Sequence, residues 1–380
     1  MVGLWKGLLK RVRQFAQFKY FLMPVPFNQL RQAFVNGHII IINASKFSVD
    51  GLVFSATQPV DHVLLHDINL EGLEESSSGI LLQRLVVAME ETQQRYIAQH
   101  LKPTLWSVWI DIIVPVFKKL DVPLEQCAIT AQHQIWWYLT GHLTFIPIHA
   151  AGSGSRHATD ISHLVISSYV TSLNSLFKAQ GRHSQVANHE LKLLVVSQPN
   201  TLNLRPLPQS ILEVERQIKA SYSGAVNSDN CIKGDILHLN GSDATVNHVS
   251  TSLDLCSLVH FACHRSQDPV YGMQSAFVLH DGHLKLSEIA FKRLSNGQFA
   301  FLSACHAASG LKELPGEAMH LAAGVLFAGF PSVIATMWAI QDEDAPRVAC
   351  HIYWHLFCNG LQGFNPSEVA MALNHAIQHL

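Results

Sequence analysis

Charge is scarce in this 380-residue chain: Asp, Glu, Lys and Arg make up 14% of it, and 26 basic against 28 acidic side chains leave a formal net charge of −2. Holding nucleic acid through its phosphates requires a basic field, so nucleic acid is not an expected partner. Paired cysteines are missing as well. The seven cysteines, Cys127, Cys231, Cys256, Cys263, Cys305, Cys350 and Cys358, are odd in number and widely spaced, with no C-x-x-C among them. That argues against a disulfide framework or a structural zinc site and for a reducing, intracellular (cytoplasmic) setting. A Walker A loop, a G-x-S-x-G elbow, an H-E-x-x-H helix and any internal repeat of fixed period are likewise absent, and no metal or other cofactor is expected.

What is present is apolar: hydrophobic residues make up 48% of the chain, enough for a sizeable core in two domains or one large one. The opening MVGLWKGLLKRVRQFAQF starts apolar and turns basic, the reverse of a signal peptide, and Val2 stands where myristoylation needs glycine. It reads as an amphipathic helix over residues 1–23. Docking on the body or on a preceding domain is the expected use of such a helix, and membrane-surface binding is the alternative. One uncharged run, HLAAGVLFAGFPSVIATMWAI from His320 to Ile340, has the length of a membrane span. Gly329, Phe330 and Pro331 divide it into a helix near 316–328 and a β-branched strand, SVIATMW, so no membrane span is expected.

Strands and helices alternate along the rest. HIIIIN (38–43), GLVFSA (51–56) and QIWWYLTG (134–141) read as strands or apolar runs, with helical patterns at about 79–100, 104–119 and 171–180. The hydrophilic stretch QGRHSQVANHE marks a seam, dividing a first half, 24–182, from a second, 190–380. In the second half LKLLVVSQ, DILHLN, CSLVHFA, SAFVLH, QFAFLSA and SVIATMW are strand-like and alternate with helices, including a short one near 286–292 and two at the C-terminus. Near-continuous apolar strands separated by helices predict an α/β fold with a mostly parallel sheet covered on both faces.

Ligands in such sheets sit outside the carboxyl ends of the strands. His264 follows CSLVHFAC there, and Cys305 follows QFAFLSA 41 residues later, among the small residues of FLSACHAASG. A histidine in reach of a cysteine can take its proton and later hand it to a leaving amine. A C-x5-R phosphatase loop would need arginine at 311, where Leu311 stands. With 23 histidines in the chain, the residues alone leave open a catalytic dyad and two ordinary structural side chains. His351 with His355, and His375 with His379, are spaced for one helix face, but no third ligand accompanies them. Alternation makes His260 and Cys263 strand positions rather than ligands.

VHFACHRSQDP, SAFVLHDGHLKLSEI, FAFLSACHAASG, EAMHLAAGVLFAGFPSVIATMW and QDEDAP, in this order, resemble the successive signatures of the CHAT domain, a caspase-like cysteine peptidase family distantly similar to separase and often joined to tetratricopeptide repeats. IWWYLTGHLTFIPIHAAG, LLVVSQPNTLNLRPLPQSILEVE and FAQFKYFLMPVPFNQLRQA are similar to earlier segments of its fungal form, so the likeness extends from about 15 to 380.

The resemblance implies a caspase-like three-layer α/β/α sandwich in the second half, preceded by an α/β half without the dyad. It also implies a cysteine endopeptidase with His264 for proton transfer and Cys305 as nucleophile, acting on a protein or peptide and regulated by a tetratricopeptide-repeat or other partner. The oxyanion is then held by the backbone N–H groups at Arg265 and Cys305. Trp338 and Asp342 fall near where a substrate side chain would lie, and an acidic group there favours Lys or Arg, although QDED also reads as a helix start. Arg265 departs from the glycine the family usually has after its histidine. If that position requires φ > 0, arginine strains it, which keeps open the alternative of a catalytically weak or inactive protein-interaction module.

Overall fold

The computed structural model describes residues 2–19, 21–34, 37–45, 48–65, 94–124, 133–152, 160–183, 191–202, 204–212, 236–266, 268, 271–303, 321–337, 340 and 343–379. The chain opens with α1 (Val2–Val12) and then enters a five-stranded sheet of β1 (Gly37–Ala44), β2 (Val49–Ser55), β3 (Asp61–Leu64), β4 (His133–Leu139) and β5 (Val165–Tyr169). Their spatial order is β3-β2-β1-β4-β5, with the hairpin side antiparallel and the β1-β4-β5 side parallel. Successive side chains of a strand leave on opposite faces. Ile40 and Ile42 therefore enter one core with Trp137, Phe117 and Ile112, while Ile39 enters the other with Phe34 and Phe54.

The helix α2 (Gln94–Val108) runs on through a π turn, Trp109–Ile113, into α3 (Val114–Lys119). The two separate helices expected over 79–119 are thus one continuous helical rod from residue 94, and residues 79–93 lie outside the described part. Pro103 sits inside α2 on an exposed face, where water can satisfy the carbonyl that the missing N–H leaves open. β3 and β5 are edge strands, rich in polar residues, that the apolar pattern does not announce.

The helix α4 (Leu173–His183) leads to the second sheet, built from β6 (Leu193–Ser197), β7 (Ile236–Asn240) and β8 (Leu258–Ala262), joined later by β12 (Phe299–Leu302) and β13 (Ser332–Ala335). Its order is β13-β12-β8-β6-β7, parallel throughout. Every residue of β6, β8 and β12 is buried. One face is covered by α5 (Val246–Leu253), α6 (Leu286–Lys292) and α7 (Leu321–Ala328), the other by α8 (Ala345–Leu356) and α9 (Val369–Gln378). This is the three-layer sandwich expected. SAFVLH, however, does not join it. It forms β10 (Ala276–Val278) of a small antiparallel sheet with β9 (Arg265–Ser266) and β11 (His283–Lys285).

The run that imitates a membrane span is broken as its punctuation predicts. α7 ends, Gly329 takes φ 134°, and the chain turns into β13. Among the described residues no helix is long and apolar enough to cross a membrane. The two sheets are tied together at Ser162, whose carbonyl accepts from Asn374 Nδ2 at 3.0 Å and Gln378 Nε2 at 2.8 Å of α9.

A half-buried histidine near the end of the first sheet makes stability depend on pH. His149 Nδ1 lies 2.7 Å from the hydroxyl of Tyr169. Loss of hydration pushes the imidazole pKa down from 6.5 to about 4 and the phenol pKa up. The folded state therefore prefers neutral His149, whereas the unfolded chain takes up a proton near 6.5. Its contribution is complete above that pH and is lost as the pH falls from 6.5 towards 4. A urea midpoint series from pH 7 to 4.5 should show the wild type losing up to about 2 kcal/mol more than His149→Gln; equal slopes in the two proteins refute the assignment.

Candidate active site

The carboxyl ends of β8 and β12 lie side by side in the middle of the second sheet. Phe261 pairs with Leu302, and the Ser303 N–H donates to the Phe261 carbonyl at 2.8 Å, carrying the pairing to the strand ends. β8 then leaves the sheet. Its next residues, His264 and Arg265, run into β9 and pair with β10. The Val278 N–H donates to the His264 carbonyl at 2.8 Å, fixing the histidine's main chain. Beneath it the ring of Phe261 stacks on Phe277, with centroids 4.1 Å apart and planes 6° from parallel.

The half-buried imidazole of His264 is fixed from the other side. Its Nε2 lies 2.6 Å from the carbonyl oxygen of Arg205. A carbonyl can only accept, so Nε2 carries the hydrogen, and in the neutral ring Nδ1 keeps its lone pair as a proton acceptor. The loop that supplies the carbonyl follows β6. Gln198, buried, donates its N–H to the Ala262 carbonyl at 3.0 Å and its side-chain amide to the Asn200 carbonyl at 2.8 Å. The Leu207 N–H closes on the Pro199 carbonyl at 2.8 Å. The sequence gives no side-chain cue to this contact because its acceptor is main chain. The cue available is a proline-bearing loop, QPNTLNLRPLPQ, at the carboxyl end of a strand two positions from β12.

Arg265 has extended backbone within β9, and among the described residues only Leu22, Asp121 and Arg293 are non-glycine residues with positive φ. The strain that arginine would suffer with φ > 0 does not arise. The His264–Val278 pair is hydrogen-bonded, so the adjacent Arg265–Phe277 pair is of the other kind. The Arg265 N–H is therefore directed away from β10, along the outer edge of the hairpin. Cys305, Trp338 and Asp342 lie outside the described residues.

Other candidates resolve into structural roles. His260, fully buried, places Nδ1 2.6 Å from the hydroxyl of Tyr353. Cys263 is buried on the opposite face, where desolvation pushes its thiol pKa far up and away from reactivity. The four helix histidines pair between α8 and α9, His351 with His379 and His355 with His375, at ring centroid distances of 5.1 and 5.2 Å. Glu368 Oε2 is 3.7 Å from His355 Nε2. Among the described residues no group of three or more His, Cys, Asp or Glu side chains is arranged to hold a metal ion.

A family model of the CHAT domain matches residues 97–379. The chain belongs to the CHAT family. Of the solved structures, two crystal structures of the Saccharomyces cerevisiae separase–securin complex, at 2.6 and 3.0 Å, share this CHAT protein's fold. Their TM-scores are 0.56 and 0.54, with 10% sequence identity in each case. Both alignments cover 92% of the CHAT chain and 30% of the separase chain, so it spans about a third of that relative. No curated protein matches its sequence. At this identity the likeness establishes the caspase-like α/β fold, and the chemistry has to be argued from the residues.

Proposed function

We propose that this CHAT domain is a cysteine endopeptidase in which His264 activates Cys305. The observation that carries the reading is the Arg205 carbonyl on His264 Nε2, because it leaves Nδ1 as the basic nitrogen of a ring fixed at the carboxyl edge of the central strand. Register adds support. His264 and Cys305 each follow the paired residues Phe261 and Leu302 by three positions in the sequence, just after the ends of neighbouring parallel strands. The thiol proton passes to Nδ1 and the sulfur attacks a peptide carbonyl carbon. The N–H groups of Arg265 and Cys305 hold the oxyanion, and His264 returns the proton to the departing amine as the C–N bond breaks. Water, deprotonated by the same imidazole, then hydrolyses the thioester and frees the thiol.

Asp342, four positions after Trp338 in the sequence, is the acidic group that would favour Lys or Arg before the scissile bond. Residues 190–380 form the catalytic half, 24–182 the half without a dyad and 1–23 its lead-in. The related separase structures contain securin bound to separase; by analogy, a protein partner, supplied by tetratricopeptide repeats or another chain, regulates access to this site. The extended backbone of Arg265 weakens the case for an inactive interaction module, since the missing glycine then costs little.

The test is covalent labelling of the intact protein with peptidyl acyloxymethyl ketones ending in Arg, Lys, Leu or Asp, read by mass spectrometry. The expected result is one adduct, formed by the Arg or Lys probe and lost in Cys305→Ala. An adduct on Arg265→Gly but not on the wild type would favour the interaction module, and an adduct that persists in Cys305→Ala would reject the nucleophile.

A further inference from the structure

The amino-terminal helix presents its apolar side to solvent. In α1, Leu4, Trp5, Leu8, Leu9 and Val12 recur at helical spacing on one side, and Lys6 and Lys10 lie on the other. Leu4 is 82% exposed, Trp5 53% and Leu8 50%. The segment after the helix is of the same kind. The guanidinium of Arg13 donates to the carbonyls of Phe21 and Leu22 at 2.8 and 3.3 Å, doubling the chain back so that Phe18 and Phe21 meet edge to face. Phe15, Phe18, Phe21, Leu22 and Met23 are all exposed as well.

Charge identifies what covers this surface. The first 49 residues hold seven basic side chains and no acidic one, whereas the remainder holds 19 basic against 28 acidic. We propose that residues 2–23 form an interfacial anchor for an anionic lipid bilayer, with Leu4, Trp5, Leu8 and the Phe15–Met23 turn entering the headgroup boundary and Lys6, Lys10 and Arg11 facing lipid phosphates and carboxylates. At 1.5 Å per residue α1 is about 16 Å long, half the thickness of a hydrocarbon core, so it lies in the membrane plane rather than across it. Aromatic rings suit the headgroup level, and each basic side chain near an anionic surface strengthens the attachment. A protein groove would be expected to meet some of these cations with matched carboxylates at fixed places; a bilayer supplies a uniform negative surface to a helix that carries no acidic group at all. The body of the domain, net acidic, is repelled by the same surface, which orients the molecule with this end down.

Co-sedimentation of the full chain with sucrose-loaded vesicles tests the anchor. The wild type should partition at least about tenfold better onto phosphatidylcholine vesicles with about 30% phosphatidylserine than onto phosphatidylcholine alone, and should lose that preference in about 0.5 M salt. Both Trp5→Glu/Leu8→Glu and Lys6→Glu/Lys10→Glu should lower binding about tenfold or more. Because these side chains point to solvent, the circular dichroism melting curve serves as the folding control and should not move. Equal partitioning onto neutral and anionic vesicles, or none onto either, overturns the proposal. So does light scattering that shows self-association abolished by Trp5→Glu/Leu8→Glu without vesicle binding, since the face is then a protein interface.

Discussion

His264→Ala is expected to slow alkylation of Cys305 by a peptidyl acyloxymethyl ketone, in which the sulfur displaces the probe's carboxylate, by about 10²–10⁴-fold at neutral pH, the usual contribution of a positioned general acid–base group. The expectation follows from how narrowly the imidazole is set. Its main chain is held by the Val278 N–H and its Nε2 by the Arg205 carbonyl, which leaves one nitrogen to accept the thiol proton. The measurement is the second-order rate constant for whichever ketone probe labels the protein, compared between wild type and variant. His264→Gln is the informative companion: its amide nitrogen reaches the position of Nε2 and can still donate to the Arg205 carbonyl and keep the loop in place, yet it offers no base, so it should be as slow as the alanine variant. Cys263→Ala should label at the wild-type rate, because that buried thiol is held protonated by its surroundings. A wild-type rate in both His264 variants would reduce the Arg205 contact to a structural one and remove the histidine from the chemistry.

Legibility in the sequence followed burial. LLVVS, LVHFA and FAFL are buried along their whole length, so their apolar runs announce a sheet covered on both faces, and LSEIAFK is readable as α6 from its flanking turns. DHVL and VISSY carry fewer apolar residues because each belongs to an edge strand, where one side needs no core partner, so no pattern marks them. AFV is readable as a strand but not as a member of a separate antiparallel sheet, since pairing is a matter of chain reversal at 265–278 and not of composition. The site divides in the same way. The position of His264 after a buried strand is visible in the sequence; the contact that orients its ring is not, because the partner is a main-chain oxygen in a loop 59 residues earlier. The glycine missing at 265 raised a concern about strain that the extended backbone of β9 removes.

Phe277→Ala is the substitution expected to damage the fold and the site together. Phe277 is fully buried and Phe261 is 1% exposed, and their stacked rings are where the small antiparallel sheet rests on the large parallel one. Truncating a buried phenylalanine costs about 3–5 kcal/mol, part from lost transfer energy and part from the cavity left behind. That loss falls on the pairing of β10 with β9, where Phe277 faces Arg265 and the next residue holds the His264 carbonyl. Opening of this unit should therefore become easier than opening of β8 itself, which keeps its neighbours β6 and β12. Hydrogen exchange resolves the two. The Val278 amide should lose about 10²-fold or more in protection while the Val259 amide loses much less, and the labelling rate of Cys305 should fall even in protein that remains folded. Phe277→Leu keeps most of the volume and should restore both protection and rate to within about tenfold, as volume-conserving swaps cost under about 1.5 kcal/mol. If Val278 and Val259 lose protection equally, the hairpin and the sheet open as one unit, and His264 is held by the whole core rather than by the stack beneath it.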